Sequence, residues 1–266
     1  MKKSISILVV ALAISLFLTL PASAGSVFDS IIKRGELRVG TSGQQPPMTA
    51  ISKDGRIIGF DSDISNAIAT AMGVEVTFNV MPFNELLTAL KDGRVDMVIS
   101  GMTMTPKRNM NFAFVGPYHV SGKGILAKAK KYTELREAGG LNTPKVRIAA
   151  LINSTSQEYV EELMPKAELT ATNSYDEAID LLLDAKVDIL VADYPFCALT
   201  AYRYHDKDLF VGESPLTFEP LGIALPEDTL LINWVRNFLF TINSNGELKK
   251  IQSKWLNGGK WVDQLP

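Results

Sequence analysis

The sequence predicts an α/β protein of two similar lobes, each with a mostly parallel sheet flanked by helices, and two crossings between them. Strand and helix patterns alternate from residue 36 to residue 100, and a second alternating series starts at residue 146. An alternating order favours parallel strands joined by crossover helices. Extended runs at 112–128 and 216–225 are each broken by proline and glycine, so each can carry the chain between lobes. We therefore expect a hinged molecule with a ligand between the strand ends of both lobes.

Residues 1–24 have the pattern of a secretory signal peptide. A basic start precedes an apolar run from about residue 5 to residue 20, and an A-x-A cleavage box ends at Ala24. An uncleaved membrane anchor is the alternative, but the apolar run is short for a span and a cleavage box closes it. We therefore expect export to the periplasm, with cleavage after Ala24.

The composition argues against a nucleic-acid partner. The chain has 27 basic and 29 acidic residues; loss of the signal peptide removes two lysines and no acid, which leaves 25 basic residues and a net charge of −4. The sequence has no basic run. Its single cysteine, Cys197, cannot form an intramolecular disulfide, so the stability of the exported chain must come from its core. We expect a monomer without a cofactor or a metal ion.

The first elements lead to a loop at a strand end. A short helix over 26–33 precedes a strand over 36–40, which runs into a loop, 41–47, rich in proline and glycine. Ligand loops follow strand ends in open α/β sheets, so Ser42 and Gln45 could face a ligand. An ordinary polar loop is the alternative.

A helix, a strand and a second helix come next. Asp61 or Asp63 can cap a helix that runs to Met72, since its apolar residues recur at helical spacing. Residues 74–80 alternate as in a strand. The second helix begins near Phe83, whose ring is either a core residue or a wall over a ligand.

A strand over 95–100 then opens into a turn rich in small and hydroxylic residues. The strand stops before Gly101, and Thr103 and Arg108 follow in the turn. A threonine hydroxyl both donates and accepts, and a guanidinium forks onto a carboxylate. This stretch could therefore hold a small zwitterion, with its carboxylate on Arg108 and its ammonium on carbonyl and hydroxyl oxygens. The alternative is an exposed turn with a solvated arginine.

The second half repeats this plan. A strand over 146–151 leads to Ser154 and Thr155, either of which can cap the following helix. The free N–H groups of that helix start could also bind an anion. A strand over 187–191 leads to Asp193, which could cap the next helix or reach across a cleft to an ammonium group.

The remaining elements complete the second lobe and return the chain to the first. Residues 128–145 are charged and rich in turn-forming residues. A strand over 169–172 precedes a helix over 174–183 that starts with a capping box. An amphipathic helix over 230–243 and a last helix from Gly246 close the fold.

Several motifs together resemble one known family, the extracytoplasmic solute-binding proteins of the polar amino-acid type, family 3, which are the receptor subunits of ABC importers. The motifs are LRVGTSG at 37–43, GFDSDI at 59–64, PFNELLTALKDGRVDMVISGMTMTPKR at 82–108, FVGPY at 114–118, AALINSTSQEY at 149–159, VDILVADY at 187–194 and the closing KKIQSKW. They cover nearly the whole mature chain. The resemblance implies a type II, periplasmic-binding-protein-like clam. Its expected parts are lobe 1 at 25–117 and 222–266, lobe 2 at 123–216, and hinge strands at 118–122 and 217–221.

The resemblance also implies roles for residues. Arg108 is expected to bind the α-carboxylate of the ligand, and Thr103 and Gly101 to meet the ligand through hydroxyl, N–H and carbonyl groups. In the second lobe, Thr155, with Ser154 beside it, matches the helix-start position. Asp193 matches the aspartate that takes the α-ammonium, and Phe83 matches the aromatic wall.

Three positions depart from the family pattern. Ser42 and Gln45 stand in the loop where some members carry an acid or an aromatic residue, so side-chain selectivity cannot be carried over. His119 replaces the usual second aromatic residue after Pro-Tyr. It could be a polar pocket residue, a pH-sensitive one, or a hinge residue that faces solvent.

The function that the resemblance implies is a periplasmic receptor that binds an amino acid between its lobes and delivers it to the membrane permease of an ABC importer. One alternative is a cyclohexadienyl or arogenate dehydratase on the same fold. Such enzymes add an acid shortly after the position of Asp193, whereas Tyr-Pro-Phe-Cys follows here, and general acid chemistry needs a titratable group. A further alternative is a ligand-sensing receptor subunit that serves a separate signalling partner.

Overall fold

The protein folds into two α/β lobes over the residues that the computed structural model describes, 26–138, 140–257 and 259–266. Within these ranges the strands form two five-stranded sheets and a small three-stranded one. The predicted signal peptide and its cleavage site lie outside the described residues. No helix in these ranges combines the length and the apolar character needed to cross a membrane.

The strands and helices alternate as the sequence predicts. The strands are β1 Glu36–Thr41, β2 Gln44–Gln45, β3 Thr49–Ile51, β4 Ile57–Ile58, β5 Glu75–Val80, β6 Met97–Val98, β7 Ala113–Ser121, β8 Lys123–Lys128, β9 Arg147–Leu151, β10 Glu168–Thr172, β11 Ile189–Asp193, β12 Leu209–Val211 and β13 Glu219–Leu225. The α-helices are α1 Val27–Arg34, α2 Phe60–Met72, α3 Leu86–Lys91, α4 Pro106–Asn109, α5 Ala129–Glu137, α6 Thr155–Leu163, α7 Tyr175–Leu183, α8 Tyr194–Arg203, α9 Thr229–Ser244 and α10 Glu247–Leu256.

The first lobe is built on the sheet of order β5-β1-β6-β13-β7. Strand β1 is parallel to β5 and to β6, whereas β13 is antiparallel to β6 and β7. The carboxyl ends of β1 and β6 therefore meet at one edge, and the segments that follow them carry Gln45, in β2, and Arg108, on α4.

The second lobe repeats this arrangement in the sheet of order β10-β9-β11-β8-β12. Strands β10, β9 and β11 are parallel, and β8 is antiparallel to β11 and β12. The ends of β9 and β11 lead to Thr155 and Asp193. The two sheets thus confirm the predicted fold class, in which each lobe has a mostly parallel sheet with helices on its faces.

Two extended crossings connect the lobes where β7 meets β13. Ser121 of β7 pairs with Glu219 of β13, and after Gly122 the chain enters the second sheet as β8. A Cβ atom on Gly122 would overlap the backbone carbonyl of Thr217 on the returning crossing. The two crossings therefore approach closely enough to need a glycine. The lobe boundaries expected from the sequence remain predictions.

Three local predictions are wrong. Neither Asp61 nor Asp63 caps α2: the N-cap is Gly59, which has no side chain, and Asp61 is buried in other contacts. Residues 129–137, expected as turns, form helix α5. This helix buries only Leu135 among its residues, so it lacks the apolar stripe that would have identified it. The strand expected over 95–100 is confined to Met97–Val98.

The lobes are closed on each other. One cluster of buried apolar side chains contains residues of both lobes, with Phe83 and Leu86 from the first and Tyr175 and Phe196 from the second. The polar groups that face each other beside this cluster form the candidate site.

Candidate functional site

Buried polar groups from both lobes meet between the sheet edges. Gln45 Nε2 of the first lobe donates to Asp193 Oδ2 of the second at 2.7 Å. The hydroxyl oxygens of Thr103 and Thr155, also from opposite lobes, lie 3.4 Å apart. The structure thus brings together four of the residues predicted to bind a ligand.

Arg108 is the cation of the first lobe. It lies on the short helix α4, whose N-cap Thr105 accepts from the backbone N–H of Arg108 at 3.2 Å. Its Nη1 donates to the Thr103 carbonyl oxygen at 2.8 Å, and its Nη2 donates to the Asn153 carbonyl oxygen of the other lobe at 3.4 Å. Its guanidinium also lies 5.7 Å from the centre of the Phe83 ring, within the range of a cation–π contact.

The guanidinium of Arg108 has no anionic partner among the described residues. Burial lowers the pKa of Arg108, and the carboxylates of Glu158, Asp193 and Glu219 act in the opposite direction. An arginine nevertheless stays charged. Among the described residues, no carboxylate oxygen lies within 4.0 Å of its guanidinium nitrogens. A carboxylate placed here would supply the missing charge.

Asp193 is the matching anion of the second lobe. It ends strand β11 and precedes α8, where it occupies the N-cap position without a side-chain capping bond. Its two carboxylate oxygens instead face the cleft, where they accept from Gln45 and from Lys123 Nζ, the latter at 2.6 Å. Of the two roles the sequence left open for Asp193, the structure places its carboxylate in the cleft.

Lys123 is a site residue that the sequence reasoning missed. Its side-chain ammonium also donates to Thr155 Oγ1 at 2.6 Å and lies 3.6 Å from Glu219 Oε2. Lys123 is only 1% exposed. The available signal was a lysine between two glycines at the start of an otherwise apolar strand, GILA, where a charge needs a buried partner.

Ser154 and Thr155 divide two roles at the start of α6. Ser154 is the N-cap: its hydroxyl oxygen accepts from the backbone N–H groups of Ser156 and Gln157, each at 3.2 Å. The Ser154 hydroxyl donates in turn to the Leu151 carbonyl oxygen at 2.6 Å. The Thr155 hydroxyl is thereby left to face the cleft, where it meets Thr103 and Lys123.

Gly101 shapes the floor of the site. Its backbone is left-handed, with φ at +58°, and a Cβ atom there would lie 2.7 Å from Gln45 Oε1. Both the conformation and the packing therefore require glycine. The N–H of Gly101 donates to Asp61 Oδ2 at 2.6 Å, so a hydrogen bond to Asp61 holds this turn in place.

Asp61 itself is a buried carboxyl group. Its Oδ1 accepts from the Tyr118 hydroxyl at 2.9 Å. Burial raises the pKa of Asp61 to about 7, although the bonds from Tyr118 and Gly101 act to lower it. Asp61 thus links the site turn to the hinge strand β7 through a group that titrates near neutral pH.

Two predicted site residues lie outside this group of contacts. Ser42 is buried, and its backbone N–H donates to Ser100 Oγ at 2.9 Å. Ser100 directly precedes Gly101 in the chain. His119 is on strand β7, where its Nδ1 lies 3.1 Å from Gln252 Nε2 on helix α10. Its ring packs edge-on against Phe60 at 5.9 Å.

His119 therefore borders a different space from the site. It lines an apolar cavity of about 590 Å³ beside the hinge, together with residues such as Trp255 and Trp261. Burial lowers the pKa of His119, and the carboxylate of Asp193 acts in the opposite direction. The expectation that His119 belongs to the ligand site stays a prediction; in the structure its ring contacts Phe60 and Gln252.

An exposed ion pair joins the lobes at the rim of the site. Lys107 Nζ lies 2.9 Å from Glu158 Oε1. The two side chains are 79% and 41% exposed. Such a pair contributes little to stability, since water and salt screen it.

Two hinged lobes that enclose buried polar groups on both faces define the class of two-lobed ligand-binding proteins. Residues 37–258 match the family model of the bacterial extracellular solute-binding proteins, family 3. The chain belongs to this family, which confirms the resemblance found in its motifs.

Relatives and solved structures agree with this family. The arginine-binding periplasmic protein of Mannheimia haemolytica is 34% identical over 219 residues, which cover 80% of this chain and 88% of the relative. The crystal structure of the ancestral amino acid-binding protein AncCDT-1, a precursor of cyclohexadienyl dehydratase, has a TM-score of 0.79 and 35% identity, and the match covers 87% of this chain and all of that chain. A binding component of an ABC transporter from Wolinella succinogenes, complexed with lysine, has a TM-score of 0.80 and 30% identity over 86% of this chain and 99% of its own.

Proposed function

We propose that the protein is a periplasmic receptor that binds an amino acid between its lobes and delivers it to the membrane permease of an ABC importer. The observation that carries the proposal is a partly buried arginine, Arg108, without a carboxylate partner among the described residues, on the opposite lobe from the buried Asp193. The relatives named above bind amino acids according to their names, and one belongs to an ABC transporter. We expect the receptor to act as a monomer.

The ligand would bridge the two lobes. Its α-carboxylate would lie on Arg108, within reach of Thr103 and Gly101. The backbone N–H of Thr155 would approach it from the second lobe, since Ser154 takes the N–H groups of Ser156 and Gln157. Its α-ammonium would lie on Asp193. Each charge-assisted hydrogen bond contributes about 1.5–3 kcal/mol. Because these groups lie on different lobes, a ligand that touches all of them favours the closed state.

A catalytic role is the second candidate, since AncCDT-1 is described as a precursor of a dehydratase. The residues directly after Asp193 are Tyr-Pro-Phe-Cys, which offer no carboxylic acid for the general acid step. The receptor is therefore the better-supported function. Incubation of the protein with prephenate and with arogenate should give no product, and measurable turnover would favour the enzyme.

The test of the proposal is a thermal-shift screen of residues 25–266 against the twenty amino acids and related carboxylates. A ligand at a hundred times its Kd should stabilise the protein by about 2.7 kcal/mol. The variant Arg108→Ala should lose this shift, because the carboxylate loses its partner. Arg94→Ala is the matched control, since Arg94 is exposed and, among the described residues, forms an ion pair only with Asp92, at 3.9 Å.

The screen has a clear negative result. A ligand whose thermal shift persists in Arg108→Ala would bind elsewhere, and the proposed site would be wrong. The role in import is tested separately, by uptake of the radiolabelled ligand in cells with and without the gene. Unchanged uptake together with a lost transcriptional response would indicate a sensor rather than a transporter subunit.

A further inference from the structure

We propose that Lys123 is a ligand-binding residue and that it selects a ligand with a second carboxylate, because it places a second cation, itself fully buried, in the cleft that holds Arg108. The inference rests on the proposed function, in which Arg108 takes the first carboxylate. It adds the chemical class of the ligand: an acidic amino acid, or a small dicarboxylate without the amine.

The two cations border the same space. Arg108 Nη1 donates to the Thr103 carbonyl oxygen at 2.8 Å, and the Thr103 hydroxyl oxygen lies 3.4 Å from that of Thr155. Lys123 Nζ donates to the same Thr155 hydroxyl at 2.6 Å. Contacts of hydrogen-bond length therefore connect the two cations across the lobes.

The ammonium of Lys123 has a donor to spare. Two of its three N–H groups are used by Asp193 Oδ1 and Thr155 Oγ1, each at 2.6 Å. The next acceptor is Glu219 Oε2 at 3.6 Å, which is longer than a hydrogen bond, and that buried oxygen has no hydrogen-bond partner among the described residues. A ligand carboxylate within reach of Nζ would accept the remaining N–H.

A purely structural role is the alternative for Lys123, as the counter-ion of Asp193 and Glu219. That role would need the ammonium to satisfy both carboxylates, but Glu219 is left without a hydrogen bond from it. A buried charge carries a large desolvation penalty, so a lysine that is 1% exposed inside a ligand cleft is better explained by binding.

Lys123 also disfavours a cationic ligand. The side chain of an arginine or a lysine would be a second cation on the ligand and would lie near Arg108 and Lys123, because Asp193 would already hold the α-ammonium of the same ligand. Like charges in a buried site repel strongly. The chain should therefore differ in specificity from its relatives that are named for arginine or lysine.

Titration calorimetry with matched ligands tests the class. The set is L-glutamate and L-aspartate, their amides glutamine and asparagine, the amine-free glutarate and succinate, and arginine and lysine. At least one dicarboxylate should bind, and its monoamide should bind about 10- to 150-fold more weakly, the ratio that one charge-assisted hydrogen bond gives. If the amine-free acids bind as tightly as the amino acids, the natural ligand is a dicarboxylate; if they bind much more weakly, it is an acidic amino acid.

Substitution of Lys123 assigns the preference to this residue. Lys123→Met should abolish the difference between acid and amide, and the double variant Lys123→Met/Glu219→Gln should do the same with the buried charges kept in balance. Lys128→Met is the matched control on the same strand, because Lys128 donates to the Leu183 carbonyl oxygen at 3.1 Å and lies outside the cleft. The ratio of the two affinities is the readout, since a general loss of stability would not change it.

The outcomes separate this inference from the proposed function. If the protein binds neutral or cationic amino acids more tightly than acidic ones, or if Lys123→Met keeps the acid-to-amide ratio, the selectivity assigned to Lys123 is wrong while the receptor stands. If no amino acid or carboxylate binds in an Arg108-dependent way, both are wrong. Should Lys123→Met fail to fold, the natural protein gives the test: the inference is wrong if it binds the acid no more tightly than the amide.

Discussion

Asp61 shows how one residue can couple the site to the hinge. It holds the Gly101 turn on one oxygen and the Tyr118 hydroxyl of strand β7 on the other. Burial makes this carboxyl group resist ionisation, because the surrounding protein solvates the charge less well than water does, and its two hydrogen-bond donors offset this only in part. Its state of protonation should therefore show in the pH dependence of stability.

The pKa of Asp61 is about 7 in the folded protein, against an ordinary value of 3.8. Between these values the folded state binds a proton that the unfolded state has released, so the free energy of unfolding should fall as the pH rises from about 4 to about 7. The slope is about 1.4 kcal/mol per pH unit, and the total about 4 kcal/mol. Urea unfolding of the natural protein and of Asp61→Asn between pH 5 and pH 8 should show this slope only in the natural protein.

Asp54→Asn is the control for that measurement. Asp54 is exposed, and hydrogen bonds from Ser52 and Arg56 lower its pKa, so it titrates below the window. Its variant should keep the slope of the natural protein. Parallel curves for the natural protein and Asp61→Asn would show that the buried carboxyl does not titrate in this range.

The residues of the site were predictable to different degrees. Arg108, Thr103 and Asp193 follow strand ends, and their place at the sheet edges follows from the β-α-β order. Lys123 was not predictable from spacing, since its partners are fixed by how two strands and a helix of one lobe come together. The position of His119 was not predictable either, because the surroundings of its ring depend on where helix α10 packs.

At the scale of elements, helix α6 connects a local capping bond to the cleft. Ser154 closes the N-terminus of α6 and so sets the direction of the first turn, which carries Thr155. Such a cap typically contributes about 1 kcal/mol to stability. The predicted cap is correct because capping is a local interaction, whereas helix α5 was missed because its position depends on packing against the second sheet.

Ser154→Ala should lower the free energy of unfolding by about 1 kcal/mol and also weaken ligand binding, because the first turn of α6 loses its anchor. Ser26→Ala is the matched control: Ser26 caps α1 by accepting from the Asp29 N–H at 3.0 Å, and α1 precedes the end of β1 that lies opposite the cleft. Urea unfolding should show a similar loss in both variants, and calorimetry should show weaker binding only in Ser154→Ala. Equal ligand affinities in the two variants would show that the Ser154 cap does not contribute to ligand binding.

At the scale of the whole molecule, closure brings together groups that the sequence places far apart. Gln45 and Asp193 are separated by 148 positions and lie in different lobes, yet they are in hydrogen-bond contact. The rim pair of Lys107 and Glu158 also crosses the cleft, but both residues are exposed. The interior contacts, rather than the rim, should therefore control the equilibrium between open and closed states.

Small-angle X-ray scattering can measure this equilibrium with the compound that gives the largest shift in the thermal screen. Saturation should reduce the radius of gyration of the natural protein, because a ligand held by both lobes favours closure by its differential affinity. Arg108→Ala should not contract at the same concentration, since the carboxylate has lost its first-lobe anchor. Glu158→Gln should contract like the natural protein, because the exposed rim pair is worth at most about 1 kcal/mol. If Arg108→Ala contracts, or if Glu158→Gln does not, the exposed rim pair rather than the interior contacts controls closure.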